Sequence, residues 1–290
     1  MDRQMLLFLR WVLVAGSIAV LCFCCVAWAA FRFPEAASDL GYPKAWMSVL
    51  RCANAAKRNI GSDTLYIGDS VAGQIMPYNG KNVLTSNGSV YAVGNYLLVD
   101  DALSNNPDIT TVIYMSIPQV IGHKFERRRT WNNFVKPFWL PENVERLDST
   151  VTDKLDKYPA SWAQLFIPVK FLPISEVDME NGVKKPLDVL SPFAIHWLQR
   201  LNELCEERNV AFRIASPPVA RNAVAESNDW SAMRQQVPGT GLEELFEMYF
   251  RSIASYPDSM LKDRMHWKRE FVEADREEMI ARMMAGISTK

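Results

Sequence analysis

A serine at the end of a strand-forming run and an acid–histidine pair near the far end of the chain carry the residue types of an acyl-transfer site. The run TLYIGDSVAG, Thr64–Gly73, closes a β-branched and apolar stretch on Gly-Asp-Ser and continues into small residues. A serine held out there can act as a nucleophile, while the plainer reading is a strand-to-helix turn capped by Asp69 or Ser70. Near the C-terminus, DSMLKDRMHWKREF places Asp263 three residues before His266, one of three histidines in the protein. A hydroxyl is a weak nucleophile until a neighbouring base takes its proton, and the base needs a third group to fix its tautomer. Ser70, His266 and Asp263 are candidates for nucleophile, base and orienting acid. His196, inside the amphipathic PFAIHWLQRLNELCEE, and His123, inside a basic segment, read as structural, and Trp267 as packing beside His266. Gln74 and Asn95 read as ordinary helix-surface residues.

Strands alternating with helices would have to bring the serine and the pair together. Short apolar or β-branched runs recur at Thr64–Gly68, Asn82–Ser86, Thr110–Ser116 and Val210–Ala215, each closed by Gly, Asn, Ser or Pro. Helical spacing lies between them, notably over Val90–Leu103 and Pro192–Arg208, and again from about Lys268 to Met284. The pattern predicts an α/β body, a three-layer α/β/α sandwich on a mainly parallel sheet. In such sheets ligands bind beyond the carboxyl ends of the strands. Ser70 follows its strand there, and Asp263-x-x-His266 must come from a loop at the same edge. Residues 118–190, rich in basic residues, aromatics and prolines, interrupt the alternation as a long insertion. It is either a lid or binding loop or a peripheral subdomain with its own small core.

The N-terminus is a different material. Trp11–Phe31 contains no charged residue, and a bilayer-crossing helix needs about 20 such residues. Arg3 and Arg10 precede it and Arg32, Glu35 and Asp39 follow, so the charge bias sets the N-terminus in the cytoplasm and the body outside it. The length favours a retained single-pass anchor over a cleaved signal peptide, for which Ala27-Trp28-Ala29 supplies an A-x-A site. The organisation expected is an anchor or signal over 1–31, a connector and lead-in helix over 32–60, and the main domain over 61–290. With 32 basic against 33 acidic residues, no overall pull toward nucleic acid follows. Cys22, Cys24 and Cys25 lie in the apolar run as small hydrophobes; Cys52 and Cys205 either pair or remain buried thiols. No metal or cofactor motif is present.

Gly-Asp-Ser in the first strand-to-helix turn together with DxxH near the C-terminus resembles the SGNH (GDSL-type) hydrolase superfamily, over about Thr64–Met284. DRMHW is also similar to signatures of its membrane-anchored envelope members, such as the alginate acetylation and lipoteichoic-acid D-alanylation proteins. The resemblance implies a flavodoxin-like sheet, Ser70 as nucleophile, His266 as general base, Asp263 as its partner and Asp69 as a structural residue. It also implies an oxyanion hole from the Ser70 N–H and a glycine after the second strand. Gly88 in TSNGSVYAVGNYLL is that glycine. The family's asparagine after the third strand is missing; MSIPQVIG stands there, leaving Asn87 or Gln119 as substitutes. The function implied is an extracytoplasmic acyl-ester hydrolase or O-acyltransferase. Its partners would be an acylated envelope polysaccharide or another acyl ester, a membrane-bound acyl donor protein, and the membrane. Two other readings stay open: a non-catalytic glycan-binding or scaffolding module, and a lipase with an apolar trench beside Ser70.

Overall fold

A computed structural model of the chain describes residues 3–32, 44–76, 80–85, 91–125, 130–161, 189–263 and 265–287, with backbone alone for 26–32 and 44–47. Its four-stranded sheet is parallel throughout: β1 (Thr64–Gly68), β2 (Val83–Thr85), β3 (Thr111–Met115) and β4 (Ala211–Ala215), in the order β2-β1-β3-β4. A central parallel strand is covered on both faces and therefore reads as a continuous apolar run. TVIYM in β3 does so: Val112–Met115 are buried and only Thr111 is partly exposed. Gly68 pairs in register with Thr85 and Met115, and Met115 with Ala215. The carboxyl ends of all four strands thus form one level edge.

The helices between these strands are α2 (Lys44–Ala56), which precedes β1, then α3 (Ser70–Ile75), α4 (Ala92–Asn105) and α5 (Pro118–Ile121). A single π-helical turn, Trp131–Val135, leads into α6 (Lys136–Phe138), α7 (Pro141–Val144) and α8 (Ser149–Leu155). Beyond them come α9 (Pro192–Glu207), α10 (Arg221–Glu226), α11 (Ser231–Gln236), α12 (Glu243–Ser252) and α13 (Arg269–Ile287). Their packing falls into two sets. In one, α4 lies against α2 and α9; in the other, α12 lies against α13 and β4, and α13 reaches α3. A two-residue pair, β5 (Val219–Ala220) and β6 (Ser255–Tyr256), lies outside the main sheet.

Segment 118–190 joins this core where it is described. Phe125 packs on Tyr91 of the α4 N-terminus, on Phe134 and on Phe193, with centroids at 5.4, 5.0 and 4.7 Å. Trp131 meets Tyr158 edge to face. These rings and the sheet belong to one hydrophobic cluster rather than to a separate small core. The basic triplet of this segment, Arg127-Arg128-Arg129, lies outside the described residues.

Helix α1 (Arg3–Arg32) stands apart. Its most apolar 18-residue window within Arg3–Cys25 has a mean hydropathy of 2.3, and none of that window is buried. By length and composition it can cross a membrane. The exposed large apolar side chains among the described residues, such as Phe8, Trp11 and Leu13, all lie on it. Cys52 and Cys205 are buried and not joined in a disulfide; the Cys52 thiol donates to the Thr85 carbonyl at 3.5 Å.

Candidate active site

The glycine before Asp-Ser is required by its neighbour strand. A Cβ on Gly68 would stand 2.1 Å from the Met115 carbonyl oxygen, an approach that no side chain permits. β1 can therefore lie close enough to β3 for the Asp69 N–H to bond the same carbonyl at 3.1 Å. Asp69 then turns the chain. One carboxylate oxygen accepts from the Val71 and Ala72 N–H groups at 2.9 and 3.0 Å, capping α3. The other accepts from the Ile117 N–H at 2.9 Å and the Ser116 hydroxyl at 3.2 Å. Burial pushes the Asp69 carboxyl above its ordinary range, against the pull of these donors, which favour the ionised form. Asp69 is 1% exposed and fully engaged, so its work is to bolt the turn to β3. Beneath it, the Tyr249 hydroxyl donates to the Ser116 carbonyl at 2.8 Å.

Ser70 is thereby set as the first residue of α3, at the carboxyl edge of β1. The chain leaves β1 toward β2 on one side and toward β3, on the return, on the other, which makes this the topological switch point of the sheet. The cap engages the N–H groups of Val71 and Ala72 and does not engage that of Ser70.

The histidine arrives from a loop between β6 and α13. An antiparallel bridge joins Leu261 to Trp267, and the Lys262 N–H donates to the His266 carbonyl at 2.7 Å. Inside the loop, Asp263 accepts from the backbone N–H groups of Met265 and His266 at 2.8 and 2.7 Å. Trp267 anchors the loop. It is 1% exposed and meets Tyr256 of β6 edge to face at 5.4 Å. Truncating a tryptophan so buried costs about 3–5 kcal/mol, so the loop has a firm base. Gln74, four residues after Ser70 on α3, bonds the Trp267 N–H at 3.0 Å.

This brings the three sequence candidates together. His266 Nε2 lies 3.0 Å from Ser70 Oγ. On the other side of the ring, Nδ1 lies 2.9 Å from Asp263 Oδ2 and 3.1 Å from Oδ1. An ionised Asp263 accepts a hydrogen bond from Nδ1–H, which keeps that proton on Nδ1 and leaves Nε2 as the acceptor facing the serine. Burial opposes ionisation of Asp263, but the N–H groups of His266 and Met265 and the imidazole outweigh it and hold the carboxyl below its ordinary range. The site is open to water: the His266 and Asp263 side chains are 32% and 51% exposed. Among the described residues no group of His, Cys, Asp and Glu converges to hold a metal ion.

The oxyanion candidates stand differently. Asn87 and Gly88 lie outside the described residues. Gln119 lies on α5, just past the Ile117 N–H that bonds Asp69, and its buried Oε1 has no hydrogen-bond partner among the described residues. Among the described residues no hydrogen bond joins Gln119 to Ser70 or His266. Two residues read from sequence as helix surface are not. Asn95 is fully buried, donating to the Tyr91 carbonyl, and Gln74 is half-buried against the histidine loop. An apolar flank on both sides, in AVGNYLLV, was the signal for Asn95; Gln74 has no local signal. His196 bonds Asp148, away from Ser70.

Comparison of the chain with family models, with curated proteins and with solved structures returns no match.

Proposed function

We propose that the protein is a serine acyl-ester hydrolase or O-acyltransferase of SGNH type, held by α1 on a membrane with its body outside the cytoplasm. The observation that carries this reading is the continuous Ser70–His266–Asp263 relay, at 3.0 and 2.9 Å, on the switch-point edge of a parallel sheet. Topology supports the fold side of the proposal. The connections β1–α3–β2 and β2–α4–β3 run in opposite directions across the sheet, so right-handed crossovers put α3 and α4 on opposite faces. The packing of α9 beside α4, and of α13 beside α3, supports reading the arrangement as an α/β/α sandwich.

In the proposed reaction His266 Nε2 takes the Ser70 proton as Oγ bonds to the acyl carbon. The carbonyl oxygen becomes an oxyanion facing the Ser70 N–H, with Gly88, Asn87 and Gln119 as further donor positions. The imidazolium, stabilised by Asp263, returns its proton to the departing alkoxide as the ester C–O bond breaks. Water or an acceptor hydroxyl then attacks the acyl-serine, giving its proton to Nε2, and Ser70 leaves with that proton. An envelope polysaccharide fits as acceptor or substrate because α1 keeps the site at the membrane surface, where a membrane-bound acyl donor would also lie. The missing asparagine after β3 favours a second reading, a non-catalytic glycan-binding or scaffolding module. Labelling the full-length protein in detergent with a fluorophosphonate separates them: Ser70-dependent labelling, lost in Ser70→Ala and His266→Ala, supports the enzyme. A folded wild type that does not label defeats it in favour of the module.

A further inference from the structure

We propose that Gln74 is a positioning residue that sets the distance between Ser70 and His266, an inference that rests on the reading of Ser70 as nucleophile. Residues four apart on a helix project from one face. The Ser70 hydroxyl and the Gln74 carboxamide accordingly both point from α3 to the loop that carries the histidine. Gln74 Oε1 accepts the Trp267 N–H at 3.0 Å, and its Nε2 stands 3.5 Å from the Trp267 carbonyl oxygen. One carboxamide thus spans both polar groups of the residue next to His266. Among the described residues these are the hydrogen bonds that join α3 to the 261–268 loop, apart from Ser70–His266 itself.

The residue gripped is a fixed one. The Trp267 indole is buried beside Tyr256, and its backbone bridges to Leu261. His266 sits between two restraints, its own N–H held by Asp263 and the next N–H held by Gln74. Asp263 belongs to the same loop and cannot fix that loop relative to the nucleophile. Gln74 belongs to the nucleophile's helix and can. Without it, the base remains oriented within its loop and the loop keeps its anchor at Trp267, but the direct tie that sets its distance from Ser70 is lost.

The test measures fluorophosphonate labelling rates of the full-length protein between pH 5 and 9, beside melting temperature, with Ser70→Ala as blank. Gln74→Leu, which removes both bonds, should lower the plateau rate by about 10- to 100-fold, the scale of a misplacement near 1 Å. It should do so well below its melting temperature. Gln74→Glu still accepts the Trp267 N–H and should recover most of the plateau. Its added negative charge favours the imidazolium and should move the acid limb of the profile to higher pH. A Gln74→Leu rate equal to wild type, or lowered only in proportion to the unfolded fraction, overturns the inference. A wild type that does not label would sink the acyl-serine reading instead. Hydrogen exchange at the Trp267 amide then decides the clasp alone: faster exchange in Gln74→Leu sustains it, and equal exchange overturns it.

Discussion

Among the described residues the protein holds two histidine–aspartate pairs, and they differ in what lies beyond the ring. His196 Nε2 bonds Asp148 Oδ2 at 2.6 Å, closer than His266 bonds Asp263. Asp148 also caps α8, accepting from the Thr150 N–H at 2.9 Å and the Thr150 hydroxyl at 2.5 Å, and it receives Arg200 at 3.4 Å. The His196 ring stands edge-on to Trp197, and Arg200 lies over the Tyr96 and Trp197 rings. That pair ties the α8 segment to α9. At His266 the second ring nitrogen meets a hydroxyl from another element, 196 positions away in the chain. A histidine–aspartate contact alone is a joint. It becomes chemistry when the free nitrogen faces a group with a proton to give.

The sharpest way to break this contrast is to remove each ring. His266→Ala should lower the fluorophosphonate labelling rate by about 10³-fold or more, while His196→Ala should leave it unchanged. Equal losses would mean that the two pairs do not differ in kind. Gly68→Ala moves Ser70 instead of His266. With a Cβ forced against the Met115 carbonyl, it should destabilise the fold by about 3 kcal/mol or more in denaturant titration and lose labelling with it.

Smaller effects come from the acids. Asp263→Ala should slow labelling by about 10²-fold, less than loss of the ring because half of that side chain already meets water. Asp148→Ala should keep the rate and lower stability by about 1 kcal/mol through the lost cap. The smallest effect is one of pH. Burial of Asp148 opposes ionisation, but the Thr150 hydroxyl and N–H and the His196 ring outweigh it, so its carboxyl lies below the ordinary range. A lowered carboxyl stabilises the fold fully above its unfolded value, about 4, and that stability fades as pH falls through the folded value. The stability difference between wild type and Asp148→Asn should therefore be full at neutral pH and close in acid, as read by denaturant midpoints across pH 2–7.

Much of the frame was legible because it repeats a local pattern. TLYIG is strand β1 as read, and the other three main strands fall within a residue or two of their apolar runs. Asn82, read as strand, lies just before β2: its carbonyl accepts the Tyr66 N–H and its side chain donates to the Thr64 carbonyl. The pair β5 and β6 went unread since two residues cannot show an alternation. The same limit hid Gln74, whose partner lies 193 positions away. Asp263-x-x-His266 was legible for the opposite reason: its spacing closes its own turn, with Asp263 bonding the His266 N–H. The burial of Cys205, whose thiol is pushed up to about 12 by that burial, follows the α9 face it shares with Leu198 and Leu201; whether it paired with Cys52 had no sequence mark.

At Gly68 the obstacle to any larger residue is a peptide oxygen of the adjoining strand. A crowding side chain can be trimmed by a change elsewhere in the gene, but every residue brings the same carbonyl, so no local substitution at Met115 relieves the clash. Selection for recovery of a Gly68→Ala strain should therefore return the original glycine, where a crowded core position would yield compensating partners.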